Sequence, residues 1–381
     1  MKSTAAVLTA PQRFELRQFD VPEPGENGLV LRVEACGVCG TDGHIFKGHT
    51  PGGRNIYPLI LGHEVVGTIS ALGSQEMRDV EGRTLREGDR VVISPGVACG
   101  NCYFCNILKS PTKCVNKKGY GFLPLDPDKP ELTGGYSEYM HLMIPRSPVF
   151  RTDLDVQRVV LLEPLSIGIH AVERARIEPG SVVAVQGSGA IGIMTAFAAK
   201  RNGAGKVILI GGPAKRLELG RTFGADATID IAEVTDADER VQLVREATPG
   251  GYGADVVFEC SGVPPAIGEG LAMLRPSGTY VEVGHFTDVG DIKLNPHRHL
   301  VLLNSTIIGV WASEDRHFLA GLRYLEQPGL PFEKLVHMTD LDNAEASVRA
   351  VADGAYELDG RTIVKVALRP GTSSENGGKT T

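Results

Sequence analysis

The sequence predicts an α/β protein in two parts, a mostly β domain over residues 1–154 and a doubly wound parallel sheet over 155–309. Two observations carry this reading. Up to about residue 154, short strand-like runs such as 28–35 and 65–72 are separated by Gly and Pro turns. From about Val156, apolar strand runs at Val182, Lys206, Ala254 and Gly278 alternate with helical patterns, as parallel strands joined by crossover helices do. The alternation ends near Gly309, and 361–368 reads as a last strand.

Within the first part, Gly37-Val38-Cys39-Gly40-Thr41-Asp42-Gly43-His44 and Gly62-His63-Glu64 offer one thiolate, one imidazole and one or two carboxylates. Such a set leaves a coordination position open, which distinguishes catalytic from structural zinc. Glu163, in Leu162-Glu163-Pro164-Leu165-Ser166, is a further candidate ligand or a neighbour acting through water. Singly, each residue has an ordinary reading, since a His beside a Glu is more often a satisfied pair than a ligand pair.

Their weight comes from the next segment. Cys99-Gly-Asn-Cys102-Tyr-Phe-Cys105, then eight residues, then Cys114 suits a closed tetrahedral Zn²⁺ site, which holds a loop and does no chemistry. A disulfide cluster is the alternative, disfavoured by regular spacing in a chain with no secretory context.

The second part opens with the strand-like 182–186, then Gly187-Ser188-Gly189-Ala190-Ile191-Gly192, then an apolar helix over 193–200. Strand, G-x-G-x-x-G and helix in that order are what a dinucleotide fingerprint requires: glycines for the turn and close approach, a helix N-terminus for the pyrophosphate. A second strand, 206–210, brings Gly211 to the place where an acid usually binds the adenosine ribose. Without that carboxylate, Lys215 and Arg216 could meet a 2′-phosphate, which leans the cofactor toward NADP; NAD held through other ribose contacts is the alternative.

Taken in order, these motifs resemble the zinc-containing medium-chain dehydrogenase/reductase superfamily, its sorbitol and threonine dehydrogenase-like branch more than its liver alcohol dehydrogenase branch. The resemblance spans about residues 2–368. It implies a GroES-like catalytic domain over 1–154, to which 310–381 return, and a Rossmann domain over 155–309. It also implies two zinc ions per chain: a catalytic one at Cys39, His63 and Glu64 or Glu163, and a structural one at Cys99, Cys102, Cys105 and Cys114. Thr41 and His44 match the family's proton relay, Cys36 is a small core residue, and Ser261 and Val283 line the nicotinamide site together with Cys260, Gly262 and Gly284.

The expected reaction moves a hydride between a secondary alcohol or polyol and NAD⁺ or NADP⁺. A zinc-independent quinone or enoyl reductase, or a non-catalytic nucleotide-binding relative, is the competing reading, and the complete ligand set opposes both. Three departures stand out: the Cys105–Cys114 gap is one residue longer than usual, Ile45 replaces a pocket tyrosine, and Leu303 replaces a substrate-side arginine. The last two make a less polar pocket, with walls expected from 45–57 and 120–136 and a possible lid over 121–130.

A net charge of −7, with Lys and Arg in no more than short pairs such as Lys117-Lys118, argues against a nucleic-acid surface. No stretch approaches 18 apolar residues and the start has no apolar h-region, so no membrane span is expected. A cytoplasmic homodimer or homotetramer with reduced thiols is the expectation, and 371–381, without an apolar anchor, should be disordered.

Overall fold

The computed structural model describes residues 1–50, 54–128 and 131–371. The expectations for the tail from 372 on, for the end of the 121–130 lid and for 51–53 of the first pocket wall lie outside the described residues. The chain forms two compact units. The first takes Met1–Glu163, Glu314–Pro328 and the chain from Val336 onward; the second takes Pro164–Ser313 and Gly329–Leu335. The first change of unit falls later than the change in sequence periodicity. The helix Val156–Val159 explains why: Val159 is fully buried and Arg158 donates to the Leu325 carbonyl (3.1 Å), both within the first unit.

The core of the first unit is a sheet in which Leu29–Val38 is central. It pairs antiparallel with Glu64–Leu72, with Tyr139–Leu142 and with Lys365–Arg369, so a strand from after the second unit's sheet lies directly beside one from before it. Leu29–Val38 has nine of its ten residues at least partly buried, which is why it reads as a nearly continuous apolar run rather than an alternating one. Register decides the chemistry here. Gly37 stands opposite both Glu64 and Ala367, so Glu64 and the last strand flank the same glycine. A side chain at Gly37 would overlap the Glu64 carboxylate.

The second unit is a six-stranded parallel sheet in the order Ala227–Asp230, Lys206–Gly211, Val182–Gln186, Ala254–Glu259, Leu274–Glu282, Thr306–Gly309. The chain winds outward from Val182–Gln186 in one direction and then returns to its other side. That makes a topological switch point between Val182–Gln186 and Ala254–Glu259, where open α/β sheets bind ligands beyond the strand ends. Val182–Gln186 is buried along its whole length, and Ala190–Arg201 is buried over eight consecutive residues from Gly192 to Ala199. Among the described residues no helix is long and apolar enough to cross a membrane.

Candidate active site

Cys39 ends the Leu29–Val38 strand and caps the helix Gly40–Phe46. Its backbone N–H donates to Asp42 Oδ2 (2.9 Å), and the same oxygen accepts from the buried Tyr136 hydroxyl (2.9 Å). Two donors thus fix a fully buried carboxylate and leave its Oδ1 without a hydrogen bond, 3.5 Å from His63 Nδ1. The His63 ring is 5% exposed and packs on Phe122 (4.8 Å). Burial opposes its charging, yet Asp42 and Cys39 hold it well above the ordinary histidine value. The pocket therefore favours positive charge at this spot.

Cys39, His63 and Glu64 offer ligand atoms that all lie within 4.8 Å of one another. One soft thiolate, one imidazole and one carboxylate fit a zinc ion and leave room for a further ligand. Glu64 is not idle, however. Lys365 Nζ donates to both of its oxygens (2.6 and 2.7 Å) and to the Val38 carbonyl (3.1 Å), and both side chains are almost wholly buried. Glu163 lies in the first turn of Leu162–Ala175, outside that trio. Burial, then the Glu64 charge, push its carboxyl up to about 7, while His63 and Lys365 oppose them.

Thr41 Oγ1 is 3.6 Å from Cys39 Sγ and is 7% exposed. His44, one turn further along, is partly exposed, with its ring 6.0 Å from that of His49. Burial, then His49 and Lys47, hold its pKa below 6.5, so it is a neutral proton acceptor at pH 7. Cys36 is fully buried in the core. So is Ile45, which is therefore packing and not a pocket wall.

All seven cysteines are free thiols. Cys99, Cys102, Cys105 and Cys114 converge, with Sγ atoms of Cys102 at 3.5 Å from Cys105 and 3.9 Å from Cys114. The Asn101 backbone N–H draws Cys99 down to about 6, whereas burial and then Cys102 push Cys105 up to about 11. Four thiols this close cannot all ionise without a cation among them, and that is the chemistry of a Cys₄ zinc site.

In the second unit, the loop after Val182–Gln186 is built on contact. A Cβ on Gly192 would overlap the Gly187 carbonyl, and one on Gly187 would lie 2.9 Å from Ser261 N. Gly189 caps Ala190–Arg201, whose first residues Ala190 and Ile191 leave their N–H groups open toward an anion. Ser188 Oγ donates to the Gly212 carbonyl (2.7 Å) and accepts from Gly212 N–H (3.0 Å). Lys215 and Arg216 fall in the first turn of Ala214–Thr222, which carries no acidic residue and where the helix dipole favours an anion. Cys260 is held by its thiol against Thr195 (3.7 Å), and Ser261 and Val283 follow the ends of the Ala254–Glu259 and Leu274–Glu282 strands.

Fold and site together define a zinc-binding dehydrogenase of the alcohol dehydrogenase type. The Alcohol dehydrogenase GroES-like domain family matches residues 25–149 and the Zinc-binding dehydrogenase family matches 190–326. The protein called "Probable alcohol dehydrogenase" in Mycobacterium tuberculosis is 39% identical over 93% of this chain and 97% of its own. A sorbitol dehydrogenase of Halalkalibacterium halodurans is 30% identical over 97% and 99%. A crystal structure from Sinorhizobium meliloti with NADP bound superposes with a TM-score of 0.81 at 28% identity, covering 97% of this chain and all of that one. The chain belongs to this family of medium-chain alcohol and polyol oxidoreductases.

Sequence reasoning missed Lys365 and Tyr136. A lone lysine inside the apolar run 363–368 was the available signal for the first; nothing local marks the second. Removing the Lys365 charge leaves Glu64 buried and uncompensated, so Lys365→Met should cost about 3 kcal/mol or more in urea unfolding. Adding Glu64→Gln should recover part of that loss. A double variant no more stable than Lys365→Met would show that the pair is not the interaction lost.

Proposed function

We propose that this chain is a zinc-dependent dehydrogenase that oxidises a secondary alcohol or polyol with NADP⁺. The single observation that supports this most is the trio Cys39, His63 and Glu64, whose ligand atoms lie within 4.8 Å of one another, in a chain that also carries the four-Cys lobe and the glycine loop. Cys39 and His63 would hold the catalytic zinc, with Glu64 or Glu163 as its acidic partner, and the four lobe cysteines would hold a second ion. Bound zinc supplies Lewis-acid polarisation of the substrate hydroxyl.

The chain's own residues supply the rest. Asp42, itself held by Tyr136 and the Cys39 N–H, faces and orients the His63 ring. Lys365 neutralises Glu64, which leaves Asp42 and Cys39 as the negative groups that act on His63. Thr41 and then His44 take the hydroxyl proton toward water. Gly187, Gly189, Ala190, Ile191 and Gly192 seat the cofactor pyrophosphate, and Ser261 and Val283 line its nicotinamide half.

Lys215 and Arg216 in an acid-free first turn support a 2′-phosphate. Gly211 leaves no carboxylate beside the ribose, but it has a packing reason of its own: a Cβ there would sit 2.6 Å from Ser188 Oγ, so a carboxylate cannot be grafted at 211 without moving Ser188. NAD is the second reading, favoured by Asp230, whose Oδ1 lies 3.3 Å from where a Gly212 Cβ would be.

Elemental analysis tests the metals. Two zinc ions per chain are expected; a ratio near zero after metal-sparing purification overturns the reading. Cys39→Ser should keep one zinc and the fold but lose turnover, whereas Cys99→Ser should disorder its lobe.

For the relay, a rate that falls as pH drops is expected in the wild type, because a protonated His44 cannot accept a proton. The fall should centre below pH 6.5, since burial lowers the value. His44→Gln should reduce the rate at pH 7 by about 10²-fold and respond to added imidazole. An unchanged pH profile with no imidazole response would assign the proton to another route.

For the ribose pocket, calorimetry with adenosine 2′,5′-bisphosphate and 5′-AMP is decisive. Lys215→Ala/Arg216→Ala should weaken the bisphosphate about tenfold more than AMP, the size of a lost charge-assisted hydrogen bond. Equal losses would return the choice to NAD.

A further inference from the structure

The second unit carries a polar cluster that none of the chemistry above uses. Glu259 ends one strand and Glu282 ends its neighbour, paired in register, and His285 follows three residues after Glu282. Glu259 is fully buried. It accepts from the backbone N–H and hydroxyl of Ser261 and from the N–H of Gly262 (2.7 Å for Ser261 N, 3.1 Å for Gly262 N). Glu282 Oε1 accepts from the N–H groups of Gly284 (3.1 Å) and His285 (3.2 Å), and its Oε2 accepts from Tyr280 (3.3 Å). A Cβ on Gly284 would overlap Glu259 Oε2. The two carboxylates therefore tie down both loops that leave the second half of the sheet.

His285 joins them. Its Nδ1 lies 2.9 Å from Glu282 Oε1 and 3.4 Å from Glu259 Oε2. With acceptors only on that side, the proton of the neutral ring belongs on Nδ1, as the hydrogen-bond network assigns it. Nε2 is then a bare acceptor. That atom is buried, has no hydrogen-bond partner among the described residues, and belongs to a ring only 13% exposed. A buried polar atom left alone costs free energy, so its partner is to be sought in a ligand. The three side chains could also be read as a cation site. Every carboxylate oxygen already accepts a hydrogen bond or faces the imidazole, so the cluster works as a clamp on the ring.

The position of the ring says which ligand. In a doubly wound sheet the half that opens with the glycine loop takes the adenosine side of a dinucleotide, and the strands across the switch point take the other side. Glu259 and Glu282 end two of those strands. The nicotinamide ring carries a single hydrogen-bond donor group, its carboxamide NH₂. We propose that His285 Nε2 accepts a hydrogen bond from the nicotinamide carboxamide, and that Glu259 and Glu282 position the imidazole for it. This rests on the reading of the chain as a nicotinamide-dinucleotide enzyme. His285 is thus a positioning residue that anchors the carboxamide-bearing edge of the ring, so that the ring does not turn about its glycosidic bond to present its other face.

The test is direct binding without turnover, by calorimetry, to three probes. NADP⁺ carries the carboxamide; its 3-acetylpyridine analogue replaces the amide NH₂ by methyl and keeps everything else; 2′-phospho-ADP-ribose lacks the ring. The variants are His285→Asn, which keeps a donor toward Glu282 and loses the distal acceptor, and His285→Leu, which loses both. The wild type should bind NADP⁺ about fivefold to tenfold more tightly than the acetylpyridine analogue, the worth of one neutral hydrogen bond. In both variants that preference should vanish while the affinity for 2′-phospho-ADP-ribose stays unchanged. A preference that survives in His285→Asn overturns the proposal, and so does a parallel loss for all three probes, which would make His285 a fold residue only. A wild type that binds none of the probes, or their NAD counterparts, would instead sink the dinucleotide reading itself.

Discussion

Lys365 and Glu64 lie 301 positions apart in the chain and meet where neither has water to share its charge. Around them the first unit collects Asp42, Cys39 and Glu163, all acidic, against His63 and this one lysine. Burial alone would depress the lysine, but Glu64 and then Cys39 keep it above its ordinary value, so it stays a cation. One fixed cation cannot balance that many potential anions. The remaining deficit falls at His63, beside the Asp42 oxygen that has no hydrogen bond, and a divalent ion held by Cys39 and His63 would restore neutrality there. The sheet register explains how a lysine so distant in sequence arrives: Lys365–Arg369 runs alongside Leu29–Val38, and Gly37 leaves the space into which the Glu64 carboxylate projects.

What could be read from sequence follows from how local each feature is. The four-Cys lobe spans 16 residues and the glycine loop six, so spacing alone brings their donors together, and neither depends on distant packing. Cys39 and His63 are legible for the same reason at one remove, each carried in a short run with small neighbours. The choice between Glu64 and Glu163 was not legible. It turns on a salt bridge to a lysine some 300 residues away, and on a carboxyl pushed up to about 7 by burial that no local pattern announces. Tyr136 illustrates the same limit. Its hydroxyl holds Asp42 across 94 residues, and in sequence it is one tyrosine among nine. Ile45 shows the reverse error: a residue placed by resemblance in a pocket wall proves to be interior packing.

Gly211 was read from sequence as a missing acid, and the structure supplies a different cause for the glycine. Ser188, inside the phosphate loop, hydrogen-bonds both ways with Gly212 and occupies the space a Cβ at 211 would need. The loop after the first strand and the end of the second are thereby fastened to each other by a side chain. The position is constrained by the turn's architecture before any question of cofactor charge arises, so the absence of a carboxylate there carries less information about NADP than Lys215 and Arg216 do. Those two sit in a first turn that carries no acid, where the helix dipole favours negative charge and a bound anion would be stabilised.

The same device recurs at three strand ends. Gly37 makes way for the Glu64 carboxylate, Gly284 for that of Glu259, and Gly211 for the Ser188 hydroxyl. In each case a polar group from another strand or loop fills the space the glycine's own side chain would need, and that group is itself anchored: Glu64 by Lys365, Glu259 by the Ser261 and Gly262 N–H groups, Ser188 by Gly212. At these three positions the glycine marks where a neighbouring side chain crosses over. This is a stronger pointer to a functional position than the glycine's own conformational freedom, because a carboxylate is buried against a backbone only where its charge is used or paired.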